Sequence, residues 1–207
     1  MPTLLHLDTS PLETSISREL GREFVKTWKA AHADGHVIYR DLAASAPKPV
    51  DATWIYSHFT PALSRSEEQK AVLAFSDELI DELEKADEYV IGVAMHNFSI
   101  HSVLKLWIDQ VVRKGRTFAY GGADGPKGLL AGKKATVLVA TGGVYDAGTP
   151  YAAFNFIDPY LRTILGWIGI TDVKFVTAGG TAQLRSETVD RGQFLQPHLE
   201  QVRSIAV

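Results

Sequence analysis

Five short apolar runs punctuate the chain, at 4–8 (LLHLD), 36–42 (HVIYRDL), 88–95 (EYVIGVAM), 135–141 (ATVLVAT) and 172–180 (DVKFVTAGG). Between and after them lie stretches with helical spacing, at about 15–32, 65–85, 102–114, 151–168 and 186–204. In the second of these, Val72, Leu73, Phe75, Leu79, Ile80 and Leu83 recur at three- and four-residue intervals. Glu67, Glu68, Lys70, Asp77, Glu78, Asp81 and Glu84 occupy much of the rest, so one face is core and the other solvated. The inner runs VIGVAM and TVLVAT are apolar on both alternating faces, as strands covered by helices on both sides must be. Five such βα units predict an α/β protein built on a doubly wound parallel sheet.

Two stretches interrupt this rhythm. Residues 43–64 hold Pro47, Pro49 and Pro61 with Trp54, Tyr56 and Phe59, which is long for a plain connection and reads as an excursion that caps a site or a partner. Residues 117–132 are rich in glycine, and their Gly-Gly and Asp-Gly-Pro steps predict a hairpin or wide loop. Neither an internal repeat nor a linker is present, so 1–207 is expected to be one domain.

Composition narrows the function classes. A hydrophobic content of 45% with 22% charged residues is an ordinary globular balance. The net charge of −3 removes the basic footprint that nucleic-acid binding needs, so nucleic acid is not an expected partner. With no cysteine, thiolate metal sites, CxxC redox chemistry and a cysteine nucleophile are excluded, and any redox function must use a borrowed cofactor. His32 and His36 have helical spacing, but Asp34-Gly35 between them reads as a helix end, and the other five histidines make no ligand pattern, so no metal site is expected. Neither a leader pattern nor a membrane-length apolar window is found, which places the expected protein in the cytoplasm.

In an open α/β sheet, ligands bind beyond the C-terminal ends of the strands. Three segments therefore carry the candidate chemistry. TSPLETSIS (9–17) sets hydroxyls at Ser10, Ser15 and Ser17 before a helix that starts near Ser15. Helix N-terminal amides with added hydroxyls suit a phosphate, while N-capping by Ser15 alone is the simpler alternative. Arg18 stands three residues after Ser15 and Leu20 three after Ser17, so neither serine has the Glu or Gln of a capping box, and the amides are expected to be free for an anion. A G-x-G-x-x-G fingerprint is missing after the first strand, and GLLAGKK (128–134) lacks the P-loop spacing.

MHNFSIHS (95–102) combines Met95, His96, Asn97 and Phe98, a mix able to stack on and hydrogen-bond a flat heterocycle, or else to anchor a surface loop. TGGVYDAGTP (141–150) places Gly142 and Gly143 where a ligand can approach main-chain N–H groups, or where a tight turn is made.

Taken together, DTSPLETSISREL (8–20), MHNFSIHSVLKLWIDQVVRKGRTFAYGGADGPKGLLAGKKA (95–135) and TGGVYDAGTPYAAFNFIDPYLRTILGWIGITDVKF (141–175) resemble the FMN-dependent NADH-azoreductases and NAD(P)H quinone reductases. The resemblance covers nearly the whole chain. It implies a flavodoxin-like fold with strand order 2-1-3-4-5 and a homodimer with FMN at its interface. It implies that Ser10, Ser15, Ile16 (through its backbone) and Ser17 hold the ribityl phosphate. Met95, His96, Asn97 and Phe98 would line the isoalloxazine, and Ala140, Thr141, Gly142 and Gly143 its pyrimidine side. Phe98, Phe118 and Tyr120 would border the substrate face. His96 stands where many members have Tyr, Ile16 where several have Gln, and Ala140-Thr141 where a Ser-Arg pair can occur.

The implied cycle is ping-pong: NADH or NADPH reduces the flavin and leaves, and a quinone or azo compound then takes two electrons from the same face. Amides from Thr141 to Gly143 would stabilise negative charge near flavin N1 and O2. His96, Tyr120 and Tyr145 are candidate proton donors, with water an equal alternative. The apolar stretch 151–168 supports a dimer, because a helix hydrophobic around much of its circumference needs more cover than its own sheet gives. Two other classes share the expected fold, an electron-transfer flavodoxin and a flavin-free binding or regulatory protein. The weak net charge argues against the first, whose members are typically strongly acidic.

Overall fold

A computed structural model describes residues 1–121 and 125–207. Its centre is a parallel sheet of five strands: β1 (Thr3–Asp8), β2 (His36–Asp41), β3 (Glu88–Ala94), β6 (Lys134–Ala140) and β7 (Asp172–Ala178). Their spatial order is β2-β1-β3-β6-β7, which is the expected 2-1-3-4-5 when the sheet strands alone are counted. The two innermost apolar runs became β3 and β6, which are buried along most of their length, as is the third interior strand β1. The edge strands β2 and β7 keep exposed positions.

Helices cover both faces. On one side α1 (Ile16–Ala31) and α6 (Arg191–Ile205) enclose Leu4, Leu20, Phe24, Trp28, Val90, Leu138 and Val202. On the other, α3 (Glu67–Lys85), α4 (Ser102–Val111) and α5 (Ile157–Trp167) enclose a larger core that includes Leu5, Leu79, Ile91, Trp107, Val137 and Leu161. Helix α3 starts where its sequence asks, with a complete capping box between Ser66 and Gln69.

Three expectations needed correction. The 43–64 excursion contains a helix, α2 (Ala52–Phe59), capped by Asp51, whose carboxylate accepts from the Trp54 amide at 2.8 Å. It packs on α3, and Arg65 closes its C-terminus by donating to the carbonyls of Ser57, His58 and Thr60. The stretch 151–168 opens with a short 3-10 turn, Ala152–Phe154, and is α-helical only from Ile157, where the Asn155 side chain accepts from the amides of Ile157 and Asp158. Likewise 186–204 is helical from Arg191, behind an Asp190 cap. The predicted hairpin is present: β4 (Phe118–Tyr120) pairs antiparallel with β5 (Pro126–Gly128), and residues 122–124 of its expected turn lie outside the described residues.

Register sets the site. Ala94 and Ala140 are paired, so β3 and β6 end level, and the Met95 amide still reaches the Ala140 carbonyl at 2.9 Å. Asp8 is paired with Gly92, which brings the start of α1 onto β3. A Cβ at Gly92 would stand 2.9 Å from Asp8 Oδ1 and 3.3 Å from the Ser17 carbonyl oxygen, so only glycine allows this approach.

Candidate functional site

The site lies at the C-terminal edge of β1, β3 and β6, where three loops leave the sheet. The first, 9–15, ends on Ser15, which is the N-cap of α1 and accepts from the Arg18 amide at 3.3 Å. The capping alternative is thus true for one amide. Among the described residues the amides of Ile16 and Ser17 meet no protein acceptor, and two free N–H groups at the start of a 16-residue helix are what an anion needs. Ser15 Oγ and Ser17 Oγ lie 3.3 Å apart, and Ser10 Oγ accepts from the Leu12 amide at 3.3 Å. Ile16 buries its side chain in the core beneath α1, leaving its backbone to serve the loop.

The only cation in this turn is Arg18, and it is buried, with 7% of its surface exposed. It donates to the Ser10 carbonyl from both Nε (2.9 Å) and Nη2 (2.7 Å), and to Asp8, Tyr39 and Asp41. In the sequence Arg18 stands out only as the absence of a capping-box Glu. The available signal was electrostatic: a cation in the first turn opposes the helix dipole and asks for a dedicated carboxylate partner.

The second loop, 95–98, is a tight turn closed by reciprocal hydrogen bonds between His96 and Ser99. Its two central residues, Asn97 (φ 47°) and Phe98 (φ 70°), are both left-handed. Asn tolerates this conformation, whereas for Phe it is strained. The Phe98 carbonyl accepts from the Phe156 amide at 3.1 Å, and the Phe98 ring lies 5.2 Å from that of Phe154 and edge-on to Tyr145. His96 is exposed and stands edge-on to His101, whose Nδ1 accepts from the Val103 amide. Burial, helped by His96, pushes the His101 imidazole toward its neutral form, as an accepting nitrogen requires.

The third loop follows β6. The Thr141 amide extends the ladder to the Ala178 carbonyl at 3.0 Å, so it is not available to a ligand, and the expected Thr141-to-Gly143 donor set shrinks to Gly142 and Gly143. The carbonyls of Thr141, Gly142 and Gly143 are held by the amides of Thr181, Ala182 and Gly180, which fixes the loop from below. A Cβ at Gly142 would meet nothing within 4 Å, so space is open there, while Gly143 is backed by the Tyr145 ring.

The structure brings Ser10, Ser15, Ile16, Ser17, Met95, His96, Asn97, Phe98, Ala140, Thr141, Gly142, Gly143 and Tyr145 to this edge. It does not bring Phe118 and Tyr120. The hairpin packs beside the C-terminal end of α5, with Phe118 against Trp167, whereas Phe98 and Phe156 meet at the N-terminal end. An 11-residue helix separates the two by about 16 Å. Phe118 is 9% exposed and belongs to the core, while Tyr120 is 65% exposed.

This arrangement of a five-stranded 2-1-3-4-5 sheet with ligand loops at its C-terminal edge defines a class, and the flavodoxin-like-fold family profile matches residues 2–202. The chain belongs to that family, in a branch whose members include proteins named FMN-dependent NADH:quinone oxidoreductase. One from Acidobacterium capsulatum is 64% identical over the full length of both chains, and another from Burkholderia lata is 43% identical over 98% of each. Among solved structures, an azoreductase from Bacillus anthracis superposes with a TM-score of 0.88 at 28% identity, covering 100% of this chain and 99% of that one. An FMN-dependent NADH-azoreductase from the same species, solved with FMN, gives 0.86 at 25% identity, covering 99% and 97%.

Proposed function

We propose that this chain is an FMN-dependent oxidoreductase that passes two electrons from NADH or NADPH to quinones and aromatic azo compounds. The observation that carries the reading is the cradle at 10–17: three serines around two unpartnered amides, with the neighbouring cation spent on protein acceptors. That donor set suits one monophosphate and fits FMN. FMN, when bound, supplies reversible two-electron chemistry, and the protein supplies position and charge stabilisation.

Ser10, Ser15 and Ser17 and the amides of Ile16 and Ser17 hold the phosphate. Met95 to Phe98 form one wall for the ring, and Ala140 to Gly143 the other. The Gly142 and Gly143 amides would hold the pyrimidine edge as hydrogen-bond donors and favour negative charge there. The two walls would leave one open site for donor and acceptor to enter in turn, so the proposed cycle is ping-pong. His96 and Tyr145 are the protomer's own candidates for delivering a proton to the product.

The working unit of this proposal is a homodimer. Tyr151, Phe154, Phe156 and Trp167 expose large apolar surface along and beside α5. Tyr120 reaches a ring face only if a second copy presents it, since its own hairpin sits at the far end of α5.

Purified protein should be yellow, or become so with FMN, and should bleach under anaerobic NADH or NADPH. A colourless protein that takes up no FMN overturns the proposal, and bound flavin that neither nucleotide bleaches points to an electron carrier instead. Sedimentation should give a dimer that Phe156→Glu converts to monomer; a monomeric wild type removes the shared site. No helix among the described residues is long and apolar enough to cross a membrane, and the acceptor is taken to be a small molecule.

A further inference from the structure

We propose that Arg18 is the positioning residue of the phosphate-binding loop, acting through the Ser10 carbonyl and never through the phosphate itself; this rests on the FMN reading above. A guanidinium has five N–H donors. All five are spent: Nε and Nη2 on the Ser10 carbonyl (2.9 and 2.7 Å), Nη1 on Asp8 Oδ2 (3.3 Å) and Tyr39 Oη (3.0 Å), and Nη2 on Asp41 Oδ2 (2.7 Å). No donor remains for an anion.

Charge leads to the same conclusion. Arg18 faces two carboxylates, Asp8 and Asp41, with the Tyr39 hydroxyl donating to Asp8 at 3.0 Å and the His6 ring 3.5 Å from it. The surrounding cavity, about 370 Å³, is lined further by Arg22, Val25 and Lys26. The cluster of buried Arg18 and Asp8 with half-buried Asp41 has no surplus positive charge with which to attract a phosphate, so its contribution is geometric.

That geometry is specific. Asp8 ends β1 and Asp41 ends β2, and the Asp41 carboxylate also accepts from the amides of Ala43 and Ala44. Arg18 therefore hangs the Ser10 peptide from the ends of two neighbouring strands, one of them the sheet edge. The bidentate fork onto one carbonyl oxygen fixes both the position and the tilt of that peptide, and with them the Ser10 hydroxyl. A lysine keeps the charge and cannot reproduce the fork.

The test is Arg18→Lys, with Tyr39→Phe as a milder variant in case the first does not fold. FMN affinity should fall at least about tenfold in Arg18→Lys and about threefold in Tyr39→Phe, while affinity for riboflavin, which lacks the phosphate, stays within about twofold. In the FMN-free proteins, amide hydrogen exchange should rise over residues 9–17 and stay unchanged in β3 and β6. Full rescue of FMN affinity by lysine, equal losses for FMN and riboflavin, or unaltered exchange at 9–17 each overturns the proposal. Wild-type protein that binds no FMN defeats the cofactor reading instead, and the exchange measurement still judges Arg18.

Discussion

The two ends of the proposed cofactor site are built in opposite ways. The 9–17 loop is tied down from beneath by buried groups, with Thr9 donating to the Gly92 carbonyl and Arg18 to that of Ser10. The 95–98 loop shows an exposed aromatic ring, Phe98, on a strained turn, and the 142–149 loop adds the half-buried Tyr145; both are held mainly by backbone hydrogen bonds. A phosphate is recognised by the same fixed donors throughout a reaction cycle, so rigidity stabilises it at little cost. In the proposed cycle a ring exchanges one flat partner for another and needs an open face, and the exposed Phe98 ring leaves such a face uncovered within the protomer.

The largest break in this comparison comes at the rigid end. Each hydroxyl contact to a phosphate contributes about 1.5–3 kcal/mol, so Ser10→Ala with Ser17→Ala should weaken FMN by a hundredfold or more, roughly. The melting temperature without FMN should barely move, because the protein bonds of these hydroxyls are long, at 3.3 Å. Fluorescence titration against FMN beside a thermal melt of the apo protein decides it, and equal losses in both would make these serines structural.

At the open end, Gly142→Val probes the space directly. A Cβ there meets nothing in the protein, so the apo stability should change by under about 0.5 kcal/mol, as for ordinary surface substitutions. FMN affinity should fall about tenfold or more, since the added methyl groups occupy the approach to the Gly142 and Gly143 amides. Unchanged affinity would show that the flavin edge lies elsewhere.

Phe98→Gly sharpens the contrast further. Relieving a left-handed residue returns about 1–2 kcal/mol, while losing the Phe154 and Tyr145 ring contacts costs about 0.5–1.5 kcal/mol each. Apo stability should therefore stay within about 2 kcal/mol of wild type as FMN binding weakens about threefold to tenfold. A large loss of apo stability would mean that the turn is a structural device.

Much of this was legible in the chain, and the failures have common causes. β3 and β6 announced themselves because burial on both faces leaves no polar positions. α2 did not, because its core contacts are confined to Trp54 and Ser57 and the prolines around it read as loop. The start of α5 was set too early because Tyr151, Phe154 and Ile157 fall at helical spacing, while the cap that decides the boundary is the single side chain of Asn155. Loop residues that gather at one sheet edge were predictable from strand order alone. The distance of Phe118 and Tyr120 from that edge was not, since it depends on which end of α5 the hairpin meets. Nor was the Thr141 amide, whose engagement with Ala178 comes from one more step of a ladder that local sequence does not reveal.

The smallest expected effect concerns protons at the rigid end. Burial favours the neutral form of Asp8, but the nearby His6, the Tyr39 hydroxyl and the Arg18 charge overcome it and hold the carboxyl below its ordinary value of 3.8. Between the folded and unfolded values, the unfolded chain takes up a proton that the folded protein refuses, so stability rises with pH there. The contribution is complete above the unfolded value and is lost as pH falls through the folded one. Tyr39→Phe removes one donor to Asp8 and should cost about 1 kcal/mol near pH 6, with the gap to wild type narrowing as the pH falls below the ordinary carboxylate value and Asp8 protonates in both. Thermal melts of the two FMN-free proteins across that range measure the gap. A gap of constant size would assign the loss to the Tyr39 bond with Arg18 and leave Asp8 out of it.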